Sequence, residues 1–156
     1  MIQYYSTSNY QTPEGYTCAF REWKKDTADS QLHGYALGFS FGFEILNPEY
    51  KFSDYEFIQT YLSTLFGHTT IVASDDPCLP LFMKLEEQGA CTVRVLPNVT
   101  FKELAKTVFD DMQVMLQHNT KDNVKIVFVS IKPQTKKSVS YPDNVPETIL
   151  DRKSTR

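Results

Sequence analysis

Hydrophobic and polar residues alternate most regularly between residues 36 and 45. One face of this segment carries Leu37, Phe39, Phe41, Phe43 and Ile45, and the other carries mainly glycine and serine. Alternation with a period of two predicts a long β-strand with one strongly apolar face. Because glycine and serine offer little side chain, we expect another backbone or a partner subunit close to the opposite face, unless that face simply meets water.

Two amphipathic helices are predicted after this strand. Ser53 and Glu56 have capping-box spacing ahead of one run of apolar residues at helical intervals, and Thr100 and Glu103 repeat that spacing ahead of a second run. A short helix is predicted at 79–88, ended by Gly89. Both main helices present one apolar face to a core.

Further strands are predicted at 17–23, 91–96, 124–132 and 137–141, with 2–7 as an additional candidate. They are rich in β-branched and aromatic residues, and the last two resemble a hairpin. Strand pairs that flank helices predict an α+β domain, in which an antiparallel sheet of four strands carries two main helices on one face. We expect a single domain over residues 1–141 and a polar tail over residues 142–156.

Composition narrows the class of protein. The chain has 156 residues, 41% hydrophobic and 22% charged, with a net charge of −3, which suits one folded domain. An acidic chain disfavours nucleic acid as its main partner, and no apolar run is long enough to cross a bilayer. Three widely spaced cysteines and the lack of a secretory leader predict a cytoplasmic protein without a disulfide framework.

Short motifs in a fixed order carry a resemblance to a known family. They are Leu32-His33-Gly34-Tyr35, Phe52-Ser53, Phe66-Gly67-His68, Thr100 with Leu104-Ala105-Lys106, and Gln134-Thr135 followed by Tyr141. Together they resemble the 6-pyruvoyl-tetrahydropterin synthase and 6-carboxytetrahydropterin synthase family. The resemblance implies the tunnelling fold (T-fold), assembly into a homo-oligomer (trimer or hexamer) with pockets at subunit boundaries, and a small-molecule heterocycle of pterin or purine type as partner.

The resemblance also implies a zinc site, which this sequence retains only in part. Family members hold zinc with one histidine on an early strand and two in a His-Gly-His pair. Here the pair reads His33-Gly34-Tyr35, and the early-strand position falls near Trp23 or Lys24. Because a neutral phenol is a poor zinc donor, we predict no zinc cofactor and assign His33 and Tyr35 to ligand binding. The alternative is that His33 is a structural residue at the start of a strand.

The catalytic positions implied by the resemblance are altered as well. Asp29 lies four residues before His33, where the family has a catalytic cysteine, and a carboxylate there can move protons but cannot act as a thiolate. His68 follows Gly67, where the family has an aspartate that orients the histidine. We therefore name His68 and Asp29 as candidate catalytic residues; otherwise both are ordinary exposed residues.

The remaining ligand-binding candidates are Gln134, Thr135 and Thr100. Gln134 stands near the position of the family's pterin-anchoring glutamate, and it offers one acceptor and one donor where a carboxylate offers only acceptors. Thr100 falls in a motif that lines the family's pocket, although helix capping explains it fully without any ligand. A surface position in a hairpin is the alternative for Gln134.

These substitutions leave three functions open. The favoured one is a diverged synthase-like protein that binds a pterin- or purine-like ring without zinc-dependent lyase chemistry. The second is an active lyase-like enzyme of the pterin, folate or queuosine pathways, which uses His68 and Asp29 for proton transfer. The third is a non-catalytic oligomeric assembly protein built on the Gly/Ser face of the long strand. A conventional zinc synthase ranks last.

Overall fold

The computed structural model describes residues 6–12, 15–22, 31–52, 55–133 and 137–142. The described residues form seven strands and three helices. In chain order they are β1 (Ser6–Gln11), β2 (Tyr16–Glu22), β3 (Gln31–Ile45), α1 (Glu56–Phe66), β4 (Thr69–Ala73), α2 (Leu79–Glu87), β5 (Thr92–Leu96), α3 (Phe101–Asn119), β6 (Val124–Pro133) and β7 (Val139–Tyr141). None of these helices combines the length and hydrophobicity of a membrane-spanning segment. The boundary between domain and tail stays a prediction, since residues 143–156 lie outside the described ranges.

All strands belong to one sheet organised around β3. Its strand order is β5-β4-β2-β3-β6-β7, and β1 also pairs with β3. β2 covers the first half of one edge of β3 and β1 covers the second half of that edge, while β6 covers the other edge. These contacts and the β6–β7 hairpin are antiparallel, as predicted. The α+β class is confirmed.

The sheet is wider than the predicted four strands, and it is mixed. β4 pairs with β2 in parallel, and β5 pairs with β4 in parallel, with α2 connecting them. The sequence did not predict β4. All five of its residues are buried, so it lacks the alternation that marks a strand with one exposed face.

The core lies between β3 and the two main helices. Leu37, Phe39, Phe41 and Phe43 have none of their surface exposed, and Phe39 stacks on Phe66 at the end of α1 with ring centroids 5.1 Å apart. α3 adds its own buried face, which comprises Leu104, Ala105, Val108, Met112 and Leu116. Both helices thus cover one face of the sheet, as predicted, whereas α2 buries none of its residues.

The opposite face of β3 is filled from within the chain at one position. A Cβ atom at Gly42 would overlap the ring of Phe128, which lies directly across on β6 and is fully buried. The close neighbour at this position is a side chain of the adjacent strand, whereas another backbone or a partner subunit was predicted. Gly34, at the other end of the strand, has no described atom within 4 Å of such a Cβ. A partner subunit against this face stays a prediction.

Local helix signals were correct at α3 and wrong at α1. Thr100 caps α3, and its hydroxyl accepts a hydrogen bond from the backbone N–H of Glu103 at 3.1 Å. α1 instead begins at Glu56 with Tyr55 as its N-cap residue and no side-chain cap. Glu56 is thus the first residue of the helix, whereas a capping box with Ser53 would make it the third. Ser53 lies outside the described residues.

Candidate functional site

The first half of β3 places two predicted ligand-binding residues side by side. His33 and Tyr35 are two residues apart and share the face that continues into the aromatic core. Across the β2–β3 ladder, Phe20 pairs with His33 and Cys18 pairs with Tyr35. Directly paired residues point to the same face, so β2 contributes every second side chain to this site.

Glu22 joins the two β3 side chains into one cluster. Its Oε1 accepts a hydrogen bond from the Tyr35 hydroxyl at 2.8 Å, and its Oε2 lies 3.5 Å from Nε2 of His33. The His33 and Glu22 side chains are 40% and 37% exposed, so a ligand can reach them. We refer to these residues as the Glu22–His33–Tyr35 cluster.

Aromatic rings form the wall behind this cluster. The ring of Tyr35 meets Phe20 and Phe101 edge-on, each with centroids 5.3 Å apart. Phe101 is the first residue of α3 and follows Thr100, so the start of this helix lies beside the cluster. The Thr100 side-chain oxygen is occupied by capping, which accounts for this residue without a ligand.

Burial determines the state of the thiol next to the cluster. Cys18 is 3% exposed, and desolvation raises the pKa of its thiol to about 12. A neutral buried thiol is a poor nucleophile. The burial of Cys18 therefore does not favour it as a nucleophile.

His68 occupies a defined backbone position but does not join the cluster. It adopts a left-handed conformation with φ of 55°, and its backbone N–H donates to the carbonyl of Thr17 at 2.8 Å. A Cβ at Gly67 would lie 2.6 Å from the carbonyl oxygen of Ser63, which explains the glycine that stands before it. Within the described residues the exposed His68 imidazole contacts no member of the cluster.

Sequence reasoning missed Glu22, and five of the residues it named lie outside the described ranges. The early-strand position was assigned to Trp23 or Lys24, which lie outside the described residues, as do Asp29, Gln134 and Thr135. The signal for Glu22 was available: it follows Phe20 with the period of a predicted strand. The pairing register of β2 on β3, which brings Glu22 to this site, could not be predicted from the sequence.

The described residues do not by themselves fit the zinc site that the resemblance implies. They contain no group of three or more His, Cys, Asp or Glu side chains arranged to hold a metal ion. The cluster offers one imidazole and one carboxylate, and Tyr35 directs its hydroxyl at that carboxylate. Zinc sites in proteins need three or four ligands. The absence of zinc stays a prediction, because residues 23–30 are not described.

Solved structures share this architecture closely. An uncharacterized protein from Wolinella succinogenes matches with a TM-score of 0.67 and 14% identity, over 92% of this chain and 100% of that chain. The 6-pyruvoyl tetrahydropterin synthase of Plasmodium vivax matches with a TM-score of 0.63 and 10% identity, over 88% of this chain and 96% of that chain. The fold is that of 6-pyruvoyl tetrahydropterin synthases. The predicted T-fold is thus confirmed.

The likeness is one of fold. The Plasmodium falciparum synthase also matches, with a TM-score of 0.56 and 13% identity, over 87% of this chain and 96% of that chain. No protein-family model and no curated protein sequence matches the chain. At such identities the shared synthase fold does not carry site residues with it. The chemistry has to be argued from the cluster itself.

Proposed function

We propose that this chain is a diverged 6-pyruvoyl-tetrahydropterin synthase-like protein that binds a pterin- or purine-like heterocycle without zinc-dependent lyase chemistry. The observation that supports it is the Glu22–His33–Tyr35 cluster on the synthase fold. One member of the family's His-Gly-His pair is a tyrosine here, and its hydroxyl is bonded to a carboxylate. Where the resemblance implies metal ligands, this chain thus has a tyrosine hydrogen-bonded to a carboxylate, with aromatic rings behind them.

The cluster has the chemistry that a flat nitrogen heterocycle needs. The Glu22 carboxylate is a hydrogen-bond acceptor whose side chain is 37% exposed, so the N–H groups of a ring edge can approach it. His33 is the exposed ring of the cluster, 6.2 Å from that of Tyr35, and gives such a ligand an aromatic surface. Glu22 can thereby supply the carboxylate that Gln134 lacks.

The two ends of the sheet bear on a further part of this proposal, assembly into a homo-oligomer. β7 forms one end of the sheet and β5 the other. The β5 edge is partly covered, because the Val93 N–H donates to the Glu86 carboxylate. Edge strands that stay open are liable to pair with other chains. We therefore expect a homo-oligomer, a trimer or hexamer, to be observed by light scattering of the purified protein.

Calorimetric titration with neopterin and with guanine tests ligand binding. We expect one of them to bind, and Glu22→Gln to weaken that binding by about tenfold, because an amide loses one acceptor and the charge. Glu87→Gln, which alters an exposed carboxylate of α2, is the matched control and should bind like the wild type. If neither compound binds while the oligomer is intact, the assembly role replaces this proposal.

A second candidate, an active lyase-like enzyme, is favoured by one comparison. A solved variant of the Plasmodium vivax synthase replaces a glutamate described as its catalytic residue. A carboxylate therefore serves catalysis in one protein of this fold, which strengthens Asp29 as a candidate acid or base. His33 next to Glu22, or the exposed His68, would provide the imidazole. Formation of a pyruvoyl-pterin product by the wild type, and its loss in Asp29→Asn, would establish this function over simple binding.

A further inference from the structure

A second cleft lies away from the cluster, between α1 and α3. It has a volume of about 770 Å³ and is open to solvent, with Arg94 of β5 among its lining residues. Its apolar part consists of Phe57 and Leu65 of α1 and Met115 of α3. It shares no residue with the Glu22–His33–Tyr35 cluster, so a ligand bound in this cleft would be independent of the proposed function.

A hydrogen-bonded pair crosses this cleft. The Tyr61 hydroxyl donates to Oδ2 of Asp111 at 2.6 Å. Burial, and then the hydrogen bond to Asp111, raise the pKa of Tyr61 above its ordinary range. Tyr61 thus stays a neutral donor that is committed to one oxygen of Asp111. The other carboxylate oxygen remains available to a ligand.

Arg94 is the unsatisfied group of the cleft. Its Nε is buried and has no hydrogen-bond partner among the described residues. No carboxylate of the described residues lies within ion-pair distance of it, although it is near enough to Tyr61 to oppose the rise in that pKa. A buried donor without an acceptor costs free energy. An oxyanion that reaches the guanidinium from the cleft would supply the acceptor that the described residues lack.

The charges around the cleft limit the ligand further. Asp111 and Arg94 place one carboxylate and one guanidinium in the lining. A simple anion would pair with Arg94 but meet the Asp111 carboxylate, and a simple amine would leave Arg94 unpaired. A molecule with both a carboxylate and an ammonium group satisfies both sides.

We propose that the cleft binds a zwitterion of the α-amino-acid class with a large apolar side chain. The carboxylate accepts from the Arg94 fork, the ammonium group donates to the free oxygen of Asp111, and the side chain packs on Phe57, Leu65 and Met115. The cleft lies within the size range of small-molecule sites, which accommodates the larger apolar side chains.

Calorimetry on the full chain with L-phenylalanine, L-leucine and L-methionine tests this site. At least one should bind with a Kd below about 1 mM. For phenylalanine, the analogues 3-phenylpropionate and phenethylamine each lack one charge and should bind at least about tenfold more weakly. Arg94→Met and Asp111→Asn should cause similar losses, whereas Lys106→Met, on the exposed side of α3, should leave binding unchanged.

The outcomes separate clearly. Absence of heat or thermal stabilisation with all three amino acids at about 10 mM would overturn the proposal, since a ligand of the native state must raise its stability. Equal binding of 3-phenylpropionate and phenylalanine, or unchanged binding in Arg94→Met, would also overturn it. If Arg94→Met fails to fold, Arg94→Lys keeps the charge without the fork and should still weaken binding several-fold. Neopterin tests the Glu22–His33–Tyr35 cluster and the amino acids test the cleft, so a negative result at one site does not contradict the proposal for the other.

Discussion

The two halves of β3 follow the same alternation of side chains, but the residues on their shared face differ in burial. From Leu37 to Phe43 every second residue is fully buried beneath α1 and α3. Two and four residues earlier on the same face, Tyr35 and His33 remain partly exposed. The start of α3 reaches Tyr35 through Phe101, and His33 lies beyond the rings that cover Tyr35.

The comparison shows that a strand's period determines which face a residue occupies, whereas the reach of neighbouring elements determines whether that residue is core or site. A buried phenylalanine is stabilised mainly by removal of apolar surface from water. A partly exposed polar contact such as that of His33 with Glu22 contributes at most about 1 kcal/mol. Substitutions in the two halves should therefore differ greatly in their effect on stability.

The largest contrast is expected between Phe41→Ala and His33→Ala. Phe41→Ala should lower the free energy of unfolding by about 3–5 kcal/mol, because it leaves a cavity in the core. His33→Ala should lower it by less than about 1 kcal/mol. Urea unfolding followed by circular dichroism measures both. Equal losses would contradict the division of β3 into a core half and a site half.

The glycines on the other face of β3 provide a second, smaller contrast. Gly42→Ala should destabilise the protein by about 1–3 kcal/mol, because its methyl group meets the ring of Phe128. Gly34→Ala has open space and should change stability by less than about 1 kcal/mol. Thermal unfolding of both variants checks the difference. A stable Gly42→Ala would show that Phe128 is free to move away.

The pH dependence of stability tests whether Cys18, which pairs with Tyr35 in the exposed half of β3, is buried. As pH rises from about 8.5 towards 12, an unfolded Cys18 thiol loses its proton, whereas the native thiol with its pKa of about 12 retains it. The native state then binds more protons than the unfolded state, so stability falls over this window. The stability difference between the wild type and Cys18→Ala should narrow with rising pH. A constant difference would place Cys18 in contact with water.

The smallest effect is expected within the cluster. Tyr35→Phe and Glu22→Ala should each lower stability by about 0.5–1.5 kcal/mol, and the double variant should lose less than the sum, because both single changes remove the same hydrogen bond. A double-mutant cycle in urea measures the coupling. Strict additivity would mean that the 2.8 Å contact contributes nothing in solution.

Much of the fold could be predicted from local pattern. The alternation of β3, the capping of α3 by Thr100 and the terminal hairpin were all readable, because each depends on residues close in sequence. The candidate strand at 2–7 overlaps β1 only at Ser6 and Thr7, and residues 2–5 lie outside the described ranges. β4 was missed because its burial on both faces removes the periodic signal. Because β4 was not predicted, its parallel pairing with β2 and β5 was not predicted either.

The candidate site was only partly predictable, since its geometry depends on pairing between distant segments. His33 and Tyr35 could be named from one motif, but Glu22 reaches them only through the register of β2 on β3. Tyr61, Arg94 and Asp111 come from three different elements, and no local motif marks them. His68 fitted its motif, yet its imidazole contacts no member of the cluster within the described residues.

Titration of neopterin into the protein before and after treatment with a metal chelator tests the central proposal most directly. Binding through the Glu22–His33–Tyr35 cluster predicts the same dissociation constant in both samples. Binding that disappears with the chelator and returns on addition of zinc would contradict a metal-free heterocycle site and restore the zinc-dependent interpretation of this fold.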